Sequence, residues 1–242
     1  MQKVALVTGG ARRIGAAIVE HLHHAGFCVA IHCHNSGKEA RALSQKLNRK
    51  IPNSTIVLES NLLDPNAWGH LITEAAKTWG RLDALIHNAS LFFKTPIDAA
   101  DLTQWDTLFT CNVKAPFFLS QAARPFLQVT QGSIVNITDF HAQKAFKTYA
   151  IYGMSKAALH YQTRILAKEF APSIRVNAVA PGMIGSPLPP NTLNKALKTQ
   201  ILSQIALKRE GTYQEIAEAV CFLLNHAYIT GKVIEVDGGR DL

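Results

Sequence analysis

Near its start the chain runs Lys3-Val4-Ala5-Leu6-Val7-Thr8 directly into Gly9-Gly10-Ala11-Arg12-Arg13-Ile14-Gly15. A short apolar run without alternation suits a parallel strand buried on both faces. The glycine-bearing turn opens a helix, because Ile14, Ala17, Ile18 and Leu22 recur at helical spacing. Glycines between a strand and a helix start let the backbone approach a pyrophosphate, which sits on free amides at the positive helix end. A turn that needs glycine only for its own backbone is the alternative at this point. After Gly26, Phe27 to His32 reads as a second strand and completes a βαβ unit.

The same alternation continues. A helix is expected from Glu39 to Leu47, a strand from Ser54 to Leu58, and a helix opened by Asp64-Pro65 as N-cap and first-turn proline. Leu82 to His87 is a fourth strand, a long helix covers 102–127, and Gly132 to Thr138 is a fifth strand delivering Asp139 at its carboxyl end. A helix from about Ala150 to Phe170, a strand at Ile174 to Val179 and a last strand at Val233 to Val236 follow. The pattern predicts one α/β domain over 1–242, a Rossmann-type doubly wound parallel sheet of about seven strands with helices on both faces. Residues 183–206, rich in Pro, Ser, Lys and Thr, have the composition of a substrate lid.

Composition narrows the function classes. No apolar stretch exceeds strand length, and Met1 leads into a strand without a signal-peptide pattern, so a cytoplasmic protein without membrane contact is expected. The net charge of +8 is spread along the chain without a basic run, which argues against nucleic acid and for anionic small molecules. Cys28, Cys33, Cys111 and Cys221 show no paired spacing and read as buried thiols. The tracts His21-His23-His24 and His32-Cys33-His34 lack a further group at ligand spacing, so no metal is expected.

Two stretches carry chemistry. The second strand ends in His32-Cys33-His34-Asn35-Ser36, without the acidic residue that would bind the ribose hydroxyl of NAD. With Arg12, Ser36 and Lys38 in reach, a 2′-phosphate is better accommodated than repelled, and NADPH is the expected cofactor. Farther on, Tyr152-Gly153-Met154-Ser155-Lys156 puts a phenol and an ammonium one turn apart on one helix face. An ammonium beside a phenol favours phenolate, so Lys156 is expected to lower the Tyr152 pKa and sharpen it as an acid. A surface Tyr and Lys is the bland alternative.

With these residues laid out, the chain resembles the short-chain dehydrogenase/reductase superfamily over essentially its whole length. Thr8-Gly9 to Gly15 is similar to its nucleotide loop, Asn88-Ala89 to its Asn-Ala element, Asn112, Tyr152 and Lys156 to its catalytic Asn, Tyr and Lys, Pro181-Gly182 to the turn before its lid, and Asp237-Gly238-Gly239 to its terminal Asp-Gly-Gly. The resemblance implies cofactor contacts from Gly9, Arg12, Arg13, Ile14 and Gly15, from His32, His34, Asn35 and Ser36, from Asn61 and Leu62, from Asn88, Ala89 and Ser90, from Tyr152 and Lys156, and from Pro181, Gly182 and Ile184.

Two departures narrow the resemblance. Arg13 stands at the middle glycine position of the loop, and Asp139, thirteen residues before Tyr152, stands where the superfamily has a Ser. Together they resemble the pteridine reductases, including the bacterial dihydromonapterin and dihydrofolate reductase branch, whose C-terminus Gly238-Gly239-Arg240-Asp241-Leu242 also resembles. A substrate site of Arg13, Ser90, Phe92, Asp139 and Tyr152 is implied, for a pterin or folate lying between nicotinamide and Phe92.

Hydride would reach C7 of an oxidised pterin with Tyr152 donating to N8, or C6 of a 7,8-dihydropterin with a water near Arg13 as donor, while Asn112 holds a water linking Lys156 to solvent. Asp139 opposes the effect of Lys156 on Tyr152. A homotetramer with helices 102–127 and 150–170 at its interface is implied, and Arg240 reaching a neighbouring subunit's site is allowed. The competing readings are a general carbonyl reductase, for instance on 3-oxoacyl thioesters, and a non-catalytic NADPH-sensing or scaffold protein.

Overall fold

The computed structural model describes residues 2–185 and 195–240. Among them, β1 (Val4–Val7), β2 (Cys28–Cys33), β3 (Thr55–Glu59), β4 (Ala84–His87), β5 (Ser133–Ile137), β6 (Arg175–Pro181) and β7 (Val233–Val236) form one parallel sheet in the order β3-β2-β1-β4-β5-β6-β7. Side-chain alternation divides each strand between two cores. In β1, Val4 and Leu6 enter one, Ala5 and Val7 the other. The first core is closed by α3 (Asn66–Trp79), α5 (Ala115–Thr130) and α6 (Ala150–Phe170), the second by α1 (Arg13–His24), α2 (Gly37–Asn48) and α8 (Tyr213–Asn225). Both faces are therefore covered, which is why these strands read as continuous apolar runs rather than alternating ones.

The helix expected to open at Asp64-Pro65 begins at Asn66 with Pro65 at its cap position, and Asp64 Oδ1 accepts from the Asn66 N–H at 3.0 Å. The helix expected over 102–127 is interrupted. It consists of α4 (Leu102–Phe109), a π-turn (Thr110–Lys114) and α5, in which the Ala115 N–H reaches back five residues to the Thr110 carbonyl. The break sits at Asn112, and Pro116 just beyond it has no N–H to return to the Asn112 carbonyl. Of the lid expected over 183–206, α7 (Lys195–Ser203) is described, whereas 186–194 lie outside the described residues, as do Asp241 and Leu242.

Candidate active site

Chain order reverses between β1 and β4, and ligands of open α/β sheets gather at the carboxyl ends of strands at such a point. A cleft of about 590 Å³ opens there. Its wall takes in Gly9, Arg12, Arg13, Ile14 and Gly15 from the first turn, His32 near the end of β2 with His34, Asn35 and Ser36 after it, Asn61 and Leu62 after β3, Asn88, Ala89 and Ser90 after β4, and Ile184 after β6. Pro181 and Gly182 do not line the cleft. A Cβ on Gly182 would meet the Asp237 Cα at 2.5 Å, so that glycine permits the close approach of the turn after β7. Tyr213 and Cys111 also line the cleft and escaped the sequence reading. Thr212-x-x-Glu215, the capping box that opens α8 just before Tyr213, was the available signal.

The first turn is shaped for a diphosphate. A Cβ on Gly15 would overlap the Gly9 carbonyl and the Asn88 amide, and Gly9 has φ +62°. Helix α1 begins without a side-chain cap and without an acidic residue in its first turn, so its amides and dipole remain available to an anion. Arg13 adopts the left-handed φ of +52° that its glycine-like position demands. Asn88 Nδ2 donates to the Thr8 and Gly9 carbonyls, both at 2.9 Å, stitching the ends of β1 and β4 together.

The ribose end differs from expectation in two details. His32 is buried and makes two protein bonds: Nδ1 accepts from the Gly9 N–H at 3.2 Å and Nε2 donates to the Ser60 carbonyl at 3.1 Å. Burial pulls its pKa down to about 4. It is thus a neutral brace for the nucleotide loop rather than a cation for a phosphate. Arg12, in turn, lies 3.6 Å from the Glu39 carboxylate, a partly exposed pair that an incoming phosphate would have to reorganise. Ser36 begins α2 with its hydroxyl making no capping bond.

Phe92, Asp139, Tyr152 and Lys156 do not line this cleft; the end of β5 and α6 bring Asp139, Tyr152 and Lys156 together. The Tyr152 hydroxyl donates to Asp139 Oδ2 at 2.6 Å, and Asp139 Oδ1 accepts from the His141 N–H at 2.7 Å. Lys156 Nζ donates to the Ile137 carbonyl at 2.9 Å and lies 5.9 Å from the centre of the Tyr152 ring. Burial, then the Asp139 charge and its hydrogen bond, raise the Tyr152 pKa. The lowering expected from Lys156 is therefore not what the fold produces: burial of the phenol first, and then the carboxylate in contact with it, push the other way, while the ammonium is held by a backbone carbonyl. Burial also lowers the Lys156 pKa, against the opposing pull of Asp139.

Asn112 is saturated. Its Oδ1 accepts from the Leu91 N–H at 2.9 Å and the Ser90 hydroxyl at 3.1 Å, while Nδ2 donates to the Leu91 carbonyl at 3.1 Å and Ser155 Oγ at 3.0 Å. An amide offers two donors and two acceptor sites, so a water at Asn112 must use its main chain. Phe92 is 55% exposed, stacks on Tyr149 at 4.6 Å and meets the Tyr152 ring edge-on at 4.7 Å. Arg240 lies over the Phe140 ring of its own chain, 4.8 Å from its centre.

The sequence model of a family described as enoyl-(acyl carrier protein) reductase, a branch of the short-chain dehydrogenases, matches residues 9–241. The chain belongs to the short-chain dehydrogenase/reductase family. Within that family it is 32% identical to pteridine reductase 1 of Leishmania tarentolae, over 99% of this chain and 96% of the relative. It is also 34% identical to the 3-oxoacyl-(acyl-carrier-protein) reductase FabG of Staphylococcus epidermidis, over 99% of both. Its fold superimposes with a TM-score of 0.90 on FolM alternative dihydrofolate reductase 1 of Brucella suis in complex with NADP, at 36% identity, covering 98% of this chain and 94% of that one. Family membership makes the protein an oxidoreductase with a nicotinamide cofactor, and the uncapped α1 and the glycine cradle fit that dinucleotide's diphosphate. Among the described residues no helix is long and apolar enough to cross a membrane.

Proposed function

We propose that this short-chain reductase is an NADPH-dependent pteridine reductase that takes dihydropterins, including dihydrofolate, to their tetrahydro forms. The observation that carries the reading is the 2.6 Å bond from the Tyr152 hydroxyl to Asp139. A carbonyl reductase must direct hydrogen-bond donors at an oxygen that becomes an alkoxide. Here the residue beside the phenol is a carboxylate, which only accepts and repels a developing oxyanion. A pterin instead presents N–H groups to such an acceptor and gains its proton at a ring nitrogen. Identity to the Leishmania pteridine reductase and the Brucella FolM supports the same reading.

NADPH, when bound, supplies the hydride. Gly9, Gly15 and the first turn of α1 hold its diphosphate, and Arg12 and Ser36 take the 2′-phosphate, since no acidic side chain follows β2 directly. With a dihydropterin the proton reaches N5 from a water near Arg13, and with an oxidised pterin Tyr152 protonates N8, oriented by Asp139 and charge-balanced by Lys156. Phe92 covers the pterin face, and Arg13 and Ser90 meet its polar edge. Trp105, Phe117 and Phe118 on α4 and α5, and Met154, Tyr161 and Ile165 on α6, leave apolar surface exposed, which supports a homotetramer assembled through these helices.

The test is NADPH oxidation with dihydrobiopterin, dihydromonapterin, dihydrofolate and an acetoacetyl thioester in parallel. Turnover of dihydropterins is expected. Thioester turnover with inert pterins would instead establish the 3-oxoacyl reductase reading that the identity to FabG favours.

A further inference from the structure

The π-turn between α4 and α5 leaves backbone groups in need of partners. Two of them, the Val113 carbonyl and the Phe117 N–H, which an unbroken α-helix pairs with each other, both meet Gln162 of α6. With its amide oriented by this network, Oε1 accepts from the Phe117 N–H at 3.1 Å and Nε2 donates to the Val113 carbonyl at 3.2 Å. Gln162 is 6% exposed, so burying its amide without these bonds would be costly. Seven residues earlier on the same helix face, Ser155 Oγ accepts from Asn112 Nδ2 at 3.0 Å. Two side chains of α6, two turns apart, thus pin the π-turn to the helix that carries Tyr152 and Lys156.

We propose that Gln162 is a positioning residue for proton transfer: by occupying Val113 and Phe117 it keeps the π-turn from relaxing into an α-helix, and so fixes the Asn112 main chain relative to Lys156. The Asn112 carbonyl, deprived of a partner N–H by Pro116, is the group so placed. Relaxation to an α-helix would change the angular offset between α4 and α5 by about 100°, and Asn112, inside the turn, would lose its contacts with Ser90 and Leu91. Gln162 touches neither the cleft nor the catalytic groups. It acts only through the turn.

The inference rests on the reductase reading because turnover is its readout. Gln162→Met keeps length and volume and removes both bonds. Turnover should fall about tenfold while the KM for either substrate and the Kd for NADPH stay near wild type, the pattern of a lost transition-state arrangement rather than lost binding. Hydrogen exchange across residues 110–118 should accelerate.

Gln162→Glu gives a second, independent reading. A carboxyl can donate to the Val113 carbonyl only when protonated, so its kcat should fall as pH rises through a range in which the wild type is flat. Faster exchange with unchanged kcat would make Gln162 a structural brace alone and overturn the proposal. A kcat loss that merely tracks a lower melting temperature would do the same. A wild type that turns over neither pterin nor thioester would sink the reductase reading and this inference with it, whereas an active wild type with an equally active Gln162→Met sinks only this inference.

Discussion

Acidification should loosen the nucleotide loop through His32, and the size of the effect can be worked out. In the folded chain its Nδ1 must stay unprotonated to accept the Gly9 N–H, and burial lowers its pKa from 6.5 to about 4. The unfolded chain therefore holds the proton more tightly. The stabilisation is fully present above the unfolded value and is lost as pH falls from there toward the folded one. A gap of about 2.5 units corresponds to about 3 kcal/mol in the limit, of which about 2 kcal/mol disappears between about pH 7.5 and about pH 5. His23, His87, His141 and His160 are also lowered by burial, His87 to about 3, so the bare acid sensitivity belongs to all five. The difference from His32→Gln isolates one of them, because a Gln amide can accept from Gly9 and donate to Ser60 without titrating. Urea unfolding of both proteins at the two pH values should show the wild type losing about 2 kcal/mol more than the variant. Equal losses would mean that His32 is not the neutral brace described here.

At Arg13 the left-handed backbone costs a side chain roughly 1 kcal/mol, so Arg13→Gly should melt above Arg13→Ala while both bind NADPH more weakly; an Ala variant that is the more stable would remove the strain argument. For Asp139→Asn, loss of the carboxylate removes two of the causes that raise the Tyr152 pKa, so the alkaline limb of the kcat profile should move to lower pH, and an unmoved limb would uncouple the pair. With an oxidised pterin as substrate, Tyr152→Phe should lower kcat by roughly 10²- to 10⁴-fold with NADPH affinity nearly intact by fluorescence titration, and full activity would exclude the phenol as the acid. Phe92→Ala should raise the KM of the pterin far more than that of NADPH; equal changes would point to folding.

Much of the architecture was readable because its signals are local. Uninterrupted apolar runs mark strands covered on both sides, and Asp64-Pro65 and Tyr152-x-x-x-Lys156 are short-range patterns whose spacing alone places them on helices. What stayed hidden depends on contacts between distant segments. His32 looks like one of a polar cluster at the end of β2 until Gly9 and Ser60 are seen to claim both its nitrogens. The direction of the Tyr152 pKa is not legible from helix spacing, which gives the distance along α6 to Lys156 but neither the burial of the phenol nor the strength of its bond to Asp139. The π-turn at Thr110–Lys114 breaks no propensity rule, and only Pro116 hinted at it. Helix α8 went unread although its capping box was plain in Thr212 and Glu215.

Each part of the site hangs from the carboxyl end of a different strand: the nucleotide loop from β1, Asn88 from β4, Asp139 from β5 and Ile184 from β6. Their mutual placement is set by pairings such as Leu6 with Leu85, Ile86 with Val135 and Ile137 with Val179. Sliding one strand by a single residue would displace its cargo by about 3.3 Å and turn its inward side chains to the opposite layer. Assembly errors in this sheet are accordingly digital. A molecule in which the strands have found their partners carries a complete site, and one in which they have not carries none, so the active fraction of a preparation should count correctly threaded chains.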